Sequence, residues 1–209
     1  MSNHAQKARR QVRQSRALGL ALTPKAAKYF EKRPYPPGEH GRARRRTESD
    51  YAVRLKEKQR LRAQYGLREV QLRRVFDEAR REPYLTGESL VELLEMRLDA
   101  LVLRAGFGRT IAQARQAVTH RHILVDGKIV DRPSYRVKVG QVVQVKPRSQ
   151  TTVPFQVAAA GAHAGVLPEV PGYLQVDLEK LRFELARRPK RAEVPITCEV
   201  QLVVEYYSR

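Results

Sequence analysis

Near residue 120 the spacing of apolar side chains changes period, and this change constrains the possible folds more than any other feature of the chain. Ile111, Ala114, Ala117 and Val118 fall on one side of a helix of 3.6 residues per turn. Thr110 and Gln113 stand where a capping box needs them, the hydroxyl and the amide satisfying orphan backbone donors reciprocally. From Ile123 the period is 2. Ile123-Leu124-Val125 and Lys128-Ile129-Val130 flank Asp126-Gly127, a pair that readily takes the positive φ angles of a type I′ turn, which predicts a hairpin. Tyr135, Val137 and Val139 alternate with Arg136 and Lys138, and Val143 and Val145 with Gln144 and Lys146 across Gly140-Gln141, which predicts a second strand pair. Residues 95 to about 146 are therefore expected to form a small helix, helix, sheet unit.

Upstream the pattern is helical. Thr47 or Ser49 can cap a helix running through Tyr51, Leu55, Leu61 and Tyr65 to Gly66. Leu72, Val75, Phe76 and Ala79 make one stripe that Pro83 ends, with Arg68, Arg73, Arg74, Arg80 and Arg81 on the other face. Thr86 precedes Leu90, Leu93, Leu94, Leu98, Leu101 and Ala105, a continuous stripe interrupted at Gly106. Downstream, Leu174, Leu178, Leu181 and Leu185 suit a helix, while Val176, Leu178 and Phe183 suit strands, and both readings stand. Pro195 fits the first turn of a terminal helix with Ile196, Val200 and Val204 inward, against which the β-branched content argues for a strand. The fold class is α+β: a mainly helical domain with an inserted small helix-helix-sheet module and an extended basic N-terminal arm. The expected division is 1–46 for the arm, 47–94 with 159–209 for the helical body, and 95–158 for the module.

Charge bounds the function. The 209 residues hold 41 Lys and Arg against 22 Asp and Glu, a net charge of +19. Such an excess repels itself and persists most naturally where a polyanion neutralises it through phosphate contacts. Nucleic acid is the first candidate. An anionic membrane surface is the alternative, but no segment approaches roughly 18 consecutive apolar residues and none has the form of a signal peptide, so a cytoplasmic protein without a membrane partner is expected. The excess is uneven: residues 1–50 carry 13 basic and 4 acidic side chains, whereas residues 159–209 carry 7 of each. The latter segment is expected to pack against protein. In the former, Lys7-Ala8-Arg9-Arg10 and Arg42-Ala43-Arg44-Arg45-Arg46 bracket Arg33-Pro34-Tyr35-Pro36-Pro37-Gly38, whose prolines fix φ and remove amide donors, which predicts an extended segment ordered by RNA. The single cysteine, Cys198, can make neither an internal disulfide nor a zinc cage, and no cofactor is expected.

Three stretches carry a family resemblance. They are Pro36-Pro37-Gly38-Glu39-His40-Gly41 followed by Ser49-Asp50-Tyr51 and Leu55-Lys56-Glu57-Lys58-Gln59, then Thr86-Gly87-Glu88 with Arg97-Leu98-Asp99, and finally Glu205-Tyr206-Tyr207-Ser208-Arg209. In order and spacing the chain resembles the small-subunit ribosomal protein S-four family in its bacterial form. Residues 97–145 also look like the RNA-binding module named after that family. The resemblance implies a structural constituent of the small ribosomal subunit. Such a protein binds a ribosomal RNA junction early, nucleates assembly of the subunit body, contacts ribosomal protein S-five and contributes to translational accuracy. It further implies a place on the path by which messenger RNA enters, where Arg42, Arg44, Arg45 and Arg46 are the matching cations. Many bacterial members carry zinc-binding cysteines near the start, which this chain lacks, so zinc is not carried over.

The expected RNA-binding side chains are Arg9, Arg10, Arg13, Arg16, Lys32, Arg33 and His40 in the arm and Arg54 and Lys58 in the first body helix. In the module they are Arg109, Arg115, Arg121, Lys128, Arg132 and Arg136, whose guanidiniums can bridge phosphates and stack on bases; the plainer reading is a solvated basic surface. Val200, Val204, Tyr206 and Tyr207 are the expected protein interface. Tyr29, Phe30 and Tyr35 can stack on unpaired bases or pack against the helical body. Arg97-Leu98-Asp99 resembles a tripeptide bearing the catalytic aspartate of some RNA-modifying enzymes, but it lies inside the leucine stripe, so a structural role is expected. His120 and His122, placed on one face of a strand, lack the carboxylate or thiolate a metal site requires, and RNA contact or solvent exposure is the expectation.

Overall fold

The structure is a computed structural model that describes residues 3–43 and 47–208, the side chains of residues 3–5 and 7 excepted. Besides two short 3-10 turns, the described residues form ten α-helices and five short strands. In chain order these are α1 (Asn3–Leu18), α2 (Pro24–Lys32), α3 (Asp50–Gln64), α4 (Glu69–Ala79), α5 (Thr86–Glu95), α6 (Leu98–Arg104) and α7 (Ile111–Thr119). There follow β1 (Ile123–Val125), β2 (Lys128–Ile129), β3 (Val142–Val145), α8 (Pro147–Gln150), α9 (Val153–Ala159), β4 (Leu174–Asp177), β5 (Arg182–Leu185) and α10 (Val200–Tyr207). The α+β class holds.

Packing divides the chain into two units, Met1–Glu69 with Ile196–Arg209, and Val70–Pro195. The breaks thus fall at 69/70 and 195/196, whereas the sequence led us to expect them at 94/95 and 158/159. The reason lies in residues 174–185, which resolve the open helix-or-strand reading as strands and join the module's sheet.

In the first unit the basic arm is helical where an extended segment was expected. Thr23 caps α2, its hydroxyl accepting from the Ala26 amide at 3.2 Å, and Pro24 supplies the fixed φ suited to a first helical position. The Pro-rich stretch does interrupt regular structure, and Gly41 is needed after it: a Cβ there would lie 2.1 Å from the Pro36 carbonyl oxygen. Ser49, one of the two expected caps, accepts from the Ala52 amide and opens α3. The terminal helix forms, but begins at Val200 rather than at Pro195. Its Val203 and Tyr207 are buried, as are Leu61 of α3 and Tyr65 just after it, and α10 packs on α3, so the two segments of this unit share one core. The Gln64 side chain donates to the Thr197 carbonyl and accepts from the Thr197 amide, at 3.1 and 3.0 Å, fastening the return of the chain.

The second unit is built on one antiparallel sheet of order β2-β1-β3-β5-β4. The Asp126-Gly127 hairpin is as read, with φ of 48° and 77° and Leu124 opposite Ile129. Residues 135–139 correct the expected second strand pair. Both flanks of β3 are occupied, by β1 and β5, so this segment pairs instead with the stretch around Arg97, through an isolated Arg136–Arg97 bridge and the Val137 amide on the Met96 carbonyl. The leucine stripe is likewise two helices instead of one. Arg97 is extended (φ −67°, ψ 140°), and the first amides of α6 donate to Tyr135 and Pro133 carbonyls, at 2.8 and 3.2 Å. Leu90, Leu94, Leu98, Leu101 and Val118 of the helices and Ile123, Val143 and Val145 of the strands are fully buried, and Phe107 meets Phe183 at 5.5 Å between ring centroids. Each such side chain contributes roughly 1.5–3 kcal/mol by leaving water.

Candidate nucleic-acid interface

The capped α7 and the hairpin after it carry exposed cations of the module. Thr110 accepts from the Gln113 amide at 3.2 Å, and the Gln113 side chain reaches back to the Arg109 amide at 2.9 Å, one residue before the cap. Those exposed cations are Arg109, Arg121, Lys128 and Arg132. Arg121 ends α7 in a left-handed conformation (φ 62°) and bonds Asp131 at 3.1 Å, which brings the helix end to the foot of the hairpin.

The other two cations expected on the module face inward. Arg115 donates through Nε and Nη2 to Asp99 at 3.0 and 2.7 Å, and Arg97 adds a two-point contact of its own at 3.0 and 2.8 Å. The Asp99 carboxylate, fully buried, also accepts from the Ala100 amide. A carboxylate holding two guanidiniums and an amide has no lone pair left for a reacting group, so the expected structural role of the tripeptide stands. Arg136 is bound to Glu78 of α4. That hydrogen bond holds the Glu78 carboxyl below its ordinary value of 4.5, against an opposing contribution from burial. Buried Glu95 is similarly closed, by Arg104 at 2.6 Å and the Tyr173 hydroxyl at 2.7 Å. Burial first, and then Glu95, push the Tyr173 phenol far above its usual range.

In the first unit Arg10, Arg13, Lys32, Arg33 and His40 lie exposed, as does Arg9. Arg16 is drawn inward: it donates to the Tyr35 and Pro36 carbonyls at 3.0 and 3.1 Å and sits over the Tyr35 ring at 4.9 Å. Arg42 covers the same ring at 4.8 Å and donates to its hydroxyl, which lowers the Tyr35 pKa. Arg44, Arg45 and Arg46 lie outside the described residues. Arg54 and Lys58 also face inward, toward Glu205 at 2.7 Å and Glu69 at 3.0 Å. Lys58 lies 4.5 Å from the Tyr206 ring centroid and is buried. Burial raises the Glu69 carboxyl, and the hydrogen bonds from Tyr207 and Lys58 outweigh it, so the net shift is downward. Val200 and Tyr207 are buried in the unit, while Val204 and Tyr206 keep part of their surface.

His120 and His122 correct the strand placement. His120 closes α7 and His122 lies in the turn before β1, its Nδ1 2.9 Å from Ser149 Oγ and its ring packed on Phe155. Burial lowers the His122 pKa, with smaller contributions from His120 and Lys146. Sequence reasoning missed Lys25 as a partner of the arm's cations. Its signal was present: Lys25, Tyr29 and Arg33 recur every four residues, as do Arg9 and Arg13, and such positions share a helix face. Arg68, Arg73, Arg74, Arg80 and Arg81, read as the polar face of α4, are all exposed.

Buried carboxylates engaged with their own cations, and basic side chains exposed on both units, give the chain the character expected of a partner to a polyanion. Comparison with known proteins agrees. Residues 2–95 match the ribosomal protein S4/S9 N-terminal domain, and residues 96–143 match the S4 domain. The chain is 83% identical over 203 residues to the small ribosomal subunit protein uS4 of Beutenbergia cavernae, covering 97% of this chain and 98% of that one. It is 72% identical to that of Leifsonia xyli subsp. xyli (97% and 98% covered), and 70% to that of Tropheryma whipplei (94% and 96%). The chain belongs to the uS4 family of small ribosomal subunit proteins, a structural and non-enzymatic family. No described helix is long and apolar enough to cross a membrane.

Proposed function

We propose that this chain is a primary binder of small-subunit ribosomal RNA that nucleates assembly of the subunit body. In this reading it contacts ribosomal protein S-five and contributes to translational accuracy and to the path by which messenger RNA enters, within the ribosomes of the cytoplasm. The observation that carries the reading is the set of exposed cations on the module, Arg109, Arg121, Lys128 and Arg132 around α7 and its hairpin, while the buried carboxylates Asp99 and Glu95 are already engaged. The module in this proposal is residues 95–158, completed in its sheet by β4 and β5. In the arm, Arg9, Arg10, Arg13, Lys32, Arg33 and His40 meet phosphates, and Arg42 with Arg44, Arg45 and Arg46 faces the messenger. Arg16, Arg54, Lys58, Arg115 and Arg136 support those contacts by holding the scaffold. The S-five contact rests on Val204 and Tyr206, the members of the expected set that keep accessible surface, with Val200 and Tyr207 as their backing.

Binding to a small-subunit RNA junction, measured across salt concentrations, tests this. Affinity should fall by roughly 0.7–0.9 log unit per log unit of salt for each phosphate neutralised. Replacing Arg109, Lys128 and Arg132 with Gln should weaken binding and flatten that slope. A slope near zero for the unaltered chain would refute direct recognition of the backbone.

A further inference from the structure

Between α1 and α2 the first unit holds a cleft of about 590 Å³, within the roughly 300–1,000 Å³ typical of sites for small organic groups. Its wall carries Arg9, Arg13, Lys25 and Arg33, no carboxylate is among the described residues that line it, and Val12 and Tyr29 contribute apolar surface. Three aromatic rings of the arm were open to a base on sequence grounds. Tyr35 is covered by two guanidiniums, from Arg16 and Arg42, and Phe30 is half-buried. Tyr29 alone of the three is substantially exposed, at 47%, and it lies in the cleft.

We propose that this cleft receives one unstacked nucleotide of the bound RNA, its base against the Tyr29 ring and its flanking phosphates on Arg13, Lys25 and Arg33. The inference deepens the RNA-binding reading and rests on it. A cation-rich wall alone would hold duplex phosphates equally well. An exposed aromatic face in the same concavity is what a single-stranded base requires, because stacking needs a free π-surface and tolerates any base. The anchoring matters too. Arg16, fixed on the Tyr35 and Pro36 carbonyls, ties the Pro-rich turn to α1, so Pro37 and Gly38 form a firm rim instead of a loop that must be ordered on binding.

The experiment uses the full chain and a small-subunit RNA junction, with Tyr29→Ala, Tyr29→Leu and Tyr29→Phe compared at several salt concentrations. Tyr29→Ala and Tyr29→Leu are expected to weaken binding about tenfold, in line with the loss of one stacked base, with the salt slope unchanged. Tyr29→Phe should stay within about twofold of the parent, because the ring is what matters. Chemical probing should show one unpaired nucleotide protected in the parent complex and reactive in the Ala and Leu complexes. Equal affinity and an identical protection pattern for all three variants would overturn the cleft while leaving RNA binding intact. Loss of binding by the unaltered chain would instead overturn the broader reading. Adenosine monophosphate is titrated in parallel: binding as tight as that of the junction would overturn the proposal by showing a site for free nucleotides.

Discussion

Asp99 illustrates how a side chain with the look of a catalyst is taken up by the scaffold. The carboxylate lies between Arg97 and Arg115, fully buried, and its oxygens accept five hydrogen bonds. Removing one member of a buried charge cluster leaves the others uncompensated, at roughly 3–5 kcal/mol. Asp99→Asn is therefore expected to lower the stability of the Val70–Pro195 unit by about 3 kcal/mol or more in urea unfolding. A variant as stable as the parent would show that the cluster is not the clamp described. Glu78 supports a pH prediction. Arg136 holds its folded pKa below the ordinary 4.5, so its contribution is present above about 4.5 and is lost as pH falls through the folded value. Stability should drop on the acid side of about pH 4.5, and Glu78→Gln should flatten that limb, with unfolding free energies measured between about pH 2 and 6 as the check. Because both partners are partly exposed, solvent screening keeps the effect modest.

Helices and strands show where local pattern suffices and where it does not. The α7 cap and the Asp126-Gly127 turn were readable because both are closed by residues three or fewer apart: a hydroxyl to the third amide on, and two positive φ angles in a row. Thr110→Ala should accordingly cost about 1 kcal/mol, seen as a lower melting temperature, with faster amide exchange in the first turn of α7. The break between α5 and α6 was not readable. Its cause is the pairing of residues 96–99 with residues 133–137, about 40 positions away, which pulls Arg97 into an extended conformation without altering the leucine periodicity. The same pairing explains why Tyr135, Val137 and Val139 alternate yet form no strand beside β3. The arm failed in the opposite direction. Its prolines suggested an extended chain, but α2 opens on a local Thr-Pro start and Arg16 of α1 is anchored on the Tyr35 and Pro36 carbonyls, neither of which the proline pattern reveals.

The chain leaves its first unit after Glu69 and returns at Ile196, so that unit depends on residues from both ends. Arg54 with Glu205, Lys58 and Tyr207 with Glu69, and the Glu199 amide on Glu57 join α3 and the first residue of α4 to the returning segment. Truncation after residue 195 is expected to strip α3 of this partner and to raise amide exchange throughout residues 50–64, while residues 123–145 and 174–185 stay protected. Unchanged protection of α3 in the truncated chain would contradict the shared core. The amino-acid order was enough for the α+β class, the hairpin, most helices and the basic character, because each follows from neighbours along the chain or from a simple sum of charge. Which cations face outward, and where the units divide, depended on long-range pairing. Arg115 and Arg109 are alike as letters, but one meets a carboxylate sixteen residues away and the other meets solvent. That difference arises only when packing brings distant segments together, since a guanidinium turns toward whatever charge the folded chain places beside it.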